Sequence, residues 1–242
     1  MARLRAIFFD AAGTLFDARE PVGRTYARIA REFGLDATDD EVTRGFRRAF
    51  GQAPELAFGP GRPPAELRLR EREWWREVVA KSFEGLGEFR DFDGFFETLF
   101  GYFAEPSHWR VLPEVLPELG RLKECGFELG VISNFDFRLY EILENLHLKP
   151  FFNSITISSE AGYAKPRREV FVAALTRHGA DAAEAMHVGD SPHLDVAGAH
   201  AAGMAAVLVD PEARDSHSIE GRKATIRSLA YLKEVTQVLG SA

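Results

Sequence analysis

The hydrophobic pattern of the chain begins with a short apolar stretch that ends abruptly in an acid. Residues 7–16 read I-F-F-D-A-A-G-T-L-F, so the apolar run stops at Asp10 and a turn of small residues follows. This pattern is typical of a buried parallel strand that delivers a carboxylate to the carboxyl edge of a sheet, where ligands of open α/β folds bind. An aspartate here can also simply cap a turn. We therefore treat Asp10 as a candidate nucleophile that needs support from the rest of the chain.

Between residues 17 and 105 the apolar spacing is helical, and no strand pattern interrupts it. Four amphipathic helices are predicted, at residues 21–33, 39–50, 65–83 and 92–103, and the pair Thr38 and Glu41 forms a capping box before the second. The tryptophan and phenylalanine stripes of these helices have the spacing of a packed face, so they predict core rather than a ligand box. This stretch is therefore predicted to be a helical cap inserted after the first strand.

The remaining sequence alternates short apolar strands with amphipathic helices. Strands are predicted at residues 127–132, 154–157, 185–188 and 205–209, and helices at residues 113–125, 137–146, 168–178, 192–202 and 229–239. Residues 210–221 read as a polar loop. The alternation predicts an α/β fold whose parallel sheet is covered by helices on both faces. The predicted domains are a core of residues 1–16 and 106–242 and a helical cap of residues 17–105.

Composition narrows the classes of partner. The 242 residues carry a formal net charge of −7 with acids and bases interspersed, so no basic surface for nucleic acid is expected. No apolar run is long enough to cross a bilayer, and the chain enters its first strand without a signal peptide, so a cytoplasmic protein without a membrane partner is expected. The single cysteine, Cys125, excludes an internal disulfide and is predicted to be a buried thiol. The sequence does not assign an oligomeric state.

Polar residues follow three predicted strands at their carboxyl ends. Asp10 follows the first, Ser133 and Asn134 follow the second, and Asp190 follows the strand at residues 185–188. Carboxyl ends of parallel strands meet at one crevice. Between them lies G-Y-A-K-P, whose Lys165 is held in a loop by the following proline. These groups are the parts of a magnesium-assisted displacement at phosphorus, in which Asp10 attacks, the cation bridges the two acids, and Ser133 and Lys165 hold the phosphoryl oxygens.

These groups, in this order, resemble the four motifs of the haloacid dehalogenase superfamily of hydrolases, in the branch that carries a helical cap between the first two motifs. The matching stretches are residues 10–15, Ser133 with Asn134, Lys165 with Pro166, and G-D-S-P-H-L-D at residues 189–195. The resemblance covers nearly the whole chain.

The resemblance implies a Rossmann-like core, an aspartyl-phosphate intermediate on Asp10 and a small phosphorylated metabolite as substrate. It implies that Mg²⁺ is held by a set of groups consisting of Asp10, the backbone carbonyl of Ala12, Asp190 and Asp195. It also implies that the phosphoryl oxygens are positioned by Thr14, Ser133, Asn134 and Lys165.

One departure bears directly on the reaction. Phosphatases of this superfamily carry a second aspartate two residues after the nucleophile, which protonates the leaving group, and this chain has Ala12 there. General acid–base groups contribute roughly 10²- to 10⁴-fold to a rate. A slow phosphatase is therefore expected. It would either be restricted to acyl or aryl phosphates, whose leaving groups need no proton, or use Asp136, Asp17 or an ordered water as the substitute acid and base. By position alone, Asp136 is more typical of a helix N-cap.

Three alternatives stay open at this point. A phosphonoacetaldehyde hydrolase also has alanine at this position and uses a cap lysine to form a Schiff base, and Lys81 is the one lysine of the predicted cap. A haloacid dehalogenase proper attacks carbon without a metal, but the acid pair Asp190 and Asp195 favours a cation. A phosphate-binding or regulatory module would have kept the phosphate and Mg²⁺ site after losing catalytic activity, although binding alone has no obvious need for Asp10.

Overall fold

The computed structural model describes residues 3–240, and its centre is a seven-stranded sheet in the order β5-β4-β1-β6-β7-β9-β8. All neighbouring pairs are parallel except β8 and β9. The predicted α/β fold with a parallel sheet is therefore confirmed. Residues 1, 2, 241 and 242, which fall in the predicted core, lie outside the described residues. The strands are β1 (Ala6–Phe9), β2 (Phe16–Ala18), β3 (Trp109–Val111), β4 (Glu128–Ser133), β5 (Ser154–Ile157), β6 (Ala185–Gly189), β7 (Ala205–Val209), β8 (His217–Glu220) and β9 (Lys223–Ile226).

Ten α-helices lie within the described residues, and four of them precede β3 without an intervening strand. We call residues 22–102, which contain these four helices, the helical segment. The helices are α1 (Val22–Glu32), α2 (Asp39–Gln52), α3 (Pro64–Ser82), α4 (Phe92–Tyr102), α5 (Val115–Glu124), α6 (Arg138–Asn145), α7 (Ser158–Ala161), α8 (Arg168–His178), α9 (Gly198–Ala201) and α10 (Leu232–Gly240).

The central strand β1 is buried on both faces because helices cover each side of the sheet. Ile7 and Phe9 point to the face that packs against α5, α6 and α10, whereas Ala6 and Phe8 point to the face that packs against α8 and α9. All four side chains are fully buried. This two-sided burial explains the unbroken apolar run in the sequence.

A two-stranded antiparallel ribbon connects the sheet to the helical segment, and the sequence did not predict it. Strand β2 pairs with β3 so that Asp17 lies opposite Arg110 and Ala18 opposite Trp109. The predicted passage from strand straight into helix after Phe16 is therefore wrong at residues 16–18. Strands of three residues, each with a charged residue at its centre, are too short to show a period of two.

The sheet is also extended beyond the predicted strands. Residues 210–221 were predicted to be a polar loop, but β8 and β9 form a hairpin here, and β9 adds to the sheet beside β7. Three of the four residues of β8 are exposed, so an edge strand with a polar sequence left no hydrophobic signal. Cys125, predicted to be buried, is exposed.

The helical segment has a hydrophobic cluster of its own. Its buried side chains come from all four helices and from the turns between them, and they include Tyr26, Val42, Val79, Phe83 and Phe95. The aromatic stripes are thus largely core, as predicted. The capping box at the start of α2 is also confirmed, since Thr38 accepts a hydrogen bond from the Glu41 amide and donates its own amide to the Glu41 carboxylate.

Polar contacts join the helical segment to the sheet portion. The indole Nε1 of Trp75 donates to Asp136 at 2.6 Å, and Asp136 also pairs with the buried guanidinium of Arg138 at 2.6 Å. Arg138 in turn donates to the carbonyl of Phe100 at 3.3 Å. The Trp75 indole and the Phe100 carbonyl of the helical segment thus have hydrogen-bond partners on the sheet portion, and these bonds fix the geometry of the contact.

Among residues 3–240, no helix combines the length and the apolar character that a bilayer crossing requires.

The buried acid Glu71 makes a testable contribution to stability. Glu71 lies on α3 with 1% of its surface exposed, and this burial, together with the nearby carboxylates of Asp136 and Glu160, raises its pKa to about 7. Because the pKa in the folded state is raised above its value in the unfolded chain, the resulting stability is fully present below about pH 4.5 and is lost as the pH rises through 7. We expect Glu71→Gln to raise the free energy of unfolding at pH 8 by up to about 3 kcal/mol relative to the wild type.

Urea denaturation of both proteins between pH 5 and pH 8 measures this effect. Glu73→Gln is the matched control, since Glu73 is exposed on the same helix. If the two variants show the same pH dependence, Glu71 is not the group responsible.

Candidate active site

Three acids and one lysine meet at the carboxyl edge of the sheet. Asp10 directly follows β1 and Asp190 directly follows the neighbouring strand β6, so the sheet itself places them side by side. One carboxylate oxygen from each of Asp10, Asp190 and Asp195 lies within 4.8 Å of the others. The predicted convergence of these strand ends is therefore present in the structure.

Lys165 lies between two of these acids. Its Nζ is 2.7 Å from Oδ1 of Asp10 and 2.6 Å from Oδ1 of Asp195, and the side chain is almost fully buried. Burial alone would lower the pKa of Lys165, but the two carboxylates outweigh it and raise the pKa above its usual value. The ammonium is therefore charged and holds both acids in place.

Asn134 fixes the loop that carries Lys165. Its side-chain amide donates to the carbonyl of Lys165 at 2.9 Å and accepts from the Lys165 amide at 2.8 Å. Asn134 follows β4 and Lys165 belongs to a loop thirty-one residues later, so this pair of hydrogen bonds ties two motifs together. Asn134, predicted to position phosphoryl oxygens, thus positions the lysine in this structure.

Asp195 is held by donors on every side. Its Oδ1 also accepts from Nε2 of the buried His187 at 2.8 Å, and its Oδ2 accepts from the Ser191 amide at 2.9 Å. Burial alone would raise the pKa of Asp195, but Lys165 and His187 together lower it well below its usual range. The acid lies in a π-helical turn at residues Pro192–Ala197, a distortion often found at functional sites.

The pKa of Asp190 is shifted in the opposite direction to that of Asp195. Burial, followed by repulsion from the carboxylates of Asp10 and Asp195, raises the pKa of Asp190 to about 6. The backbone of Gly13 passes close to it, since a Cβ on Gly13 would lie 2.5 Å from Oδ2 of Asp190. Gly13 also has a φ of 88°, so both the conformation and the space favour glycine. The negative charge of a third carboxylate in this cluster costs free energy unless a cation binds beside it.

These groups open onto a cavity of about 620 Å³. Most of the predicted site residues line it, namely Asp10, Ala12, Ser133, Asn134, Lys165, Asp190 and Asp195. Thr14 is the exception, because its hydroxyl is fully buried and has no hydrogen-bond partner among the described residues. Ala12, at the position where phosphatases of the resembling superfamily carry a second aspartate, is among the lining residues.

The rest of the cavity wall comes mainly from residues that sequence reasoning missed, and Asp17, considered above as a substitute acid, is the exception. The β2–β3 ribbon and the turn after it supply charged side chains, and the helical segment supplies apolar ones. They include Asp17, Arg19, Glu20, Arg110, Val22, Phe46, Phe50 and Trp75. Aromatic spacing on a helix is the same for a packed face and for a pocket wall, so the sequence held no signal that separates the two.

Two residues considered as alternative catalytic groups lie elsewhere. Asp136 is fully buried, and its oxygens accept hydrogen bonds from Arg138 and Trp75. Lys81 is exposed at the end of α3, with Nζ 3.9 Å from the Glu77 carboxylate, and is not among the cavity-lining residues. Neither arrangement provides a free acid or a Schiff-base lysine beside Asp10.

Comparison with known families agrees with this geometry. Residues 4–203 match the family model described as haloacid dehalogenase-like hydrolase. The chain belongs to this family. It is accordingly a hydrolase, and the resemblance noted in the four sequence motifs is confirmed at the level of the family.

Relatives within the haloacid dehalogenase-like family cover most of the chain. Haloacid dehalogenase-like hydrolase domain-containing protein 3 of Bos taurus is 32% identical, over 96% of this chain and 96% of its own length. Glyceraldehyde 3-phosphate phosphatase of Methanopyrus kandleri is 35% identical, over 85% of this chain and 84% of its own. A HAD-hydrolase of Bacillus subtilis, solved bound to magnesium, aligns with a TM-score of 0.76 at 19% identity, covering 98% of this chain and 100% of its own. The last comparison shows the same fold.

Removing the shared ammonium should destabilise the protein. Lys165→Met leaves Asp10 and the buried Asp195 without their cation, and breaking a buried ion pair in this way costs about 3 kcal/mol or more. We expect that loss in the free energy of unfolding, measured by urea denaturation in metal-free buffer at pH 7. Lys149→Met is the control, because Lys149 is exposed beside Glu144, and it should change stability by less than about 0.5 kcal/mol. Equal effects of the two variants would contradict the assigned role.

Proposed function

We propose that this hydrolase is a Mg²⁺-dependent phosphatase of small phosphorylated metabolites, acting through an aspartyl-phosphate on Asp10. The observation that carries the proposal is the meeting of Asp10, Asp190, Asp195 and Lys165 at the floor of one cavity. The phosphatase named among the relatives supports the same reaction class.

The donor set fits a magnesium ion. Carboxylate and backbone carbonyl oxygens are the ligands that Mg²⁺ prefers, and Asp10, Asp190 and the carbonyl of Ala12 would supply them. Asp195 already accepts from Lys165, His187 and the Ser191 amide, so it contributes mainly charge and orientation. When bound, the ion neutralises charge on the transferring phosphoryl group.

The chain's own residues account for the transfer. A carboxylate oxygen of Asp10 attacks phosphorus, the bond from phosphorus to the leaving oxygen breaks, and that oxygen takes the bonding electron pair. Lys165 and the hydroxyl of Ser133 face the same cavity and hold the remaining phosphoryl oxygens. Water then hydrolyses the aspartyl-phosphate, releasing inorganic phosphate and restoring Asp10.

Ala12 restricts which leaving groups depart readily. An alkoxide needs a proton as it leaves, and residue 12 offers none, whereas a carboxylate or phenolate departs as a stable anion. Acyl and aryl phosphates are therefore the favoured chemical class.

Asp10→Asn and Ala12→Asp test the two halves of this proposal. We expect Asp10→Asn to abolish turnover of acetyl phosphate, since the amide is not a nucleophile. We expect Ala12→Asp to raise kcat/KM for an alkyl phosphate such as glycerol phosphate by about 10²-fold or more, with a much smaller gain for acetyl phosphate. Phosphate release is measured for both substrates.

The matched control is Ala12→Asn, which adds similar volume without an acid. A gain in Ala12→Asn equal to that in Ala12→Asp would show that shape, and not proton transfer, limits the wild type. If the wild type binds phosphate with Mg²⁺ but hydrolyses neither substrate, the chain is a phosphate-binding module.

Magnesium binding can be tested without turnover. A ligand at one hundred times its Kd stabilises the folded state by about 2.7 kcal/mol, so Mg²⁺ should raise the melting temperature of the wild type. Asp190→Asn should lose most of this shift. The control is Asp210→Asn, because Asp210 follows the adjacent strand β7 and lies outside the acidic cluster. Loss of the shift in both variants, or in neither, would argue against the assigned ligand.

A further inference from the structure

A second, smaller pocket is lined mainly by the helical segment and adjoins the cavity that contains Asp10. Its volume is about 90 Å³, and its wall is almost entirely apolar and aromatic. The two cavities have five wall residues in common, namely Val22, Phe46, Trp75, Trp109 and Phe135. The two cavities therefore lie side by side, and the small pocket is the apolar space next to the cavity that contains Asp10.

The inner wall of this pocket offers no free charge to a ligand. Beyond the shared residues it is formed by Val79, Phe96, Leu99, Phe100 and Phe103, together with Tyr26 and Arg138. The guanidinium of Arg138 is already paired with Asp136 and stacked over the ring of Phe100. Burial raises the pKa of the Tyr26 hydroxyl, which is neutral at any ordinary pH. The complementary ligand is an apolar group.

The volume limits that group in size. An engineered cavity of about 150 Å³ is known to accept benzene, and a water molecule occupies about 30 Å³ of liquid. A pocket of about 90 Å³ therefore suits a short aliphatic chain better than an aromatic ring. The absent acid at Ala12 selects leaving groups that depart as anions, and an aliphatic carboxylate satisfies both conditions at once.

We propose that the small pocket binds the aliphatic tail of the substrate, which makes the preferred substrate an acyl phosphate with a chain of roughly three to five carbons. This inference rests on the phosphatase activity proposed above. It adds the identity of the group that leaves, and it assigns Val79 and Leu99 as residues that set the chain length.

A homologous series of acyl phosphates, from acetyl to octanoyl, isolates the pocket from leaving-group chemistry, because the leaving carboxylates have nearly the same basicity. Each methylene buried should raise kcat/KM about fourfold, until the pocket is full and the increase stops. Val79→Ala and Leu99→Ala enlarge the pocket, so their optimum should move to a longer chain.

The matched control is Val78→Ala, which removes the same two methyl groups from the adjacent residue of α3. Val78 is as buried as Val79 but packs in a different cluster, with Ala49, Leu56 and Trp74. Its optimum chain length should equal that of the wild type. A rate that is flat or falls from acetyl phosphate upward, or an optimum that moves equally in Val78→Ala and Val79→Ala, overturns the proposal.

Binding separates this inference from the phosphatase proposal. n-Alkylphosphonates are not hydrolysed, and calorimetry in the presence of Mg²⁺ measures their affinity directly. An affinity that rises with chain length, with a negative heat-capacity change, supports the pocket even if no acyl phosphate is turned over. An affinity independent of chain length rejects the pocket even if acetyl phosphate is a good substrate.

Discussion

The ammonium of Lys165 is the contact on which the candidate site depends. It bridges Asp10 and Asp195 at hydrogen-bond distance in a nearly water-free position, and Asn134 holds its backbone from a neighbouring strand. Without this cation, carboxylates from three parts of the chain would repel one another across a few ångströms. With it, the carboxylates still outnumber the ammonium, which is the electrostatic basis of the cation site proposed above.

The sequence was sufficient to predict five of the seven strands of the sheet and most of the residues at the floor of the site. Asp10 and Asp190 each end a stretch of buried apolar residues, and parallel strands bring such ends together by geometry alone. The family is established, but the catalytic roles of these residues remain predictions. Lys165 was predicted to be a site residue, but its bridge to Asp195 was not predicted, because a contact between residues thirty positions apart leaves no periodic pattern in the sequence.

Other features were invisible for physical reasons. The β2–β3 ribbon has only three residues in each strand, and the edge strand β8 is short and mostly exposed, so neither shows a recognisable alternation of apolar and polar positions. Trp75 shows the opposite problem: its spacing predicts burial, and it is packed, yet one side of it also faces the cavity. Amphipathic patterns show which positions are apolar, and apolar residues line a substrate pocket as well as the hydrophobic core.

Trp75 also ties the helical segment to the sheet portion through its indole contact with Asp136. This carboxylate is buried and paired with Arg138. An outward movement of the helical segment would therefore separate the Trp75 indole from the Asp136 carboxylate. Separating the two groups breaks a hydrogen bond to a buried carboxylate, so this contact favours the arrangement in which the helical segment stays packed against the sheet portion.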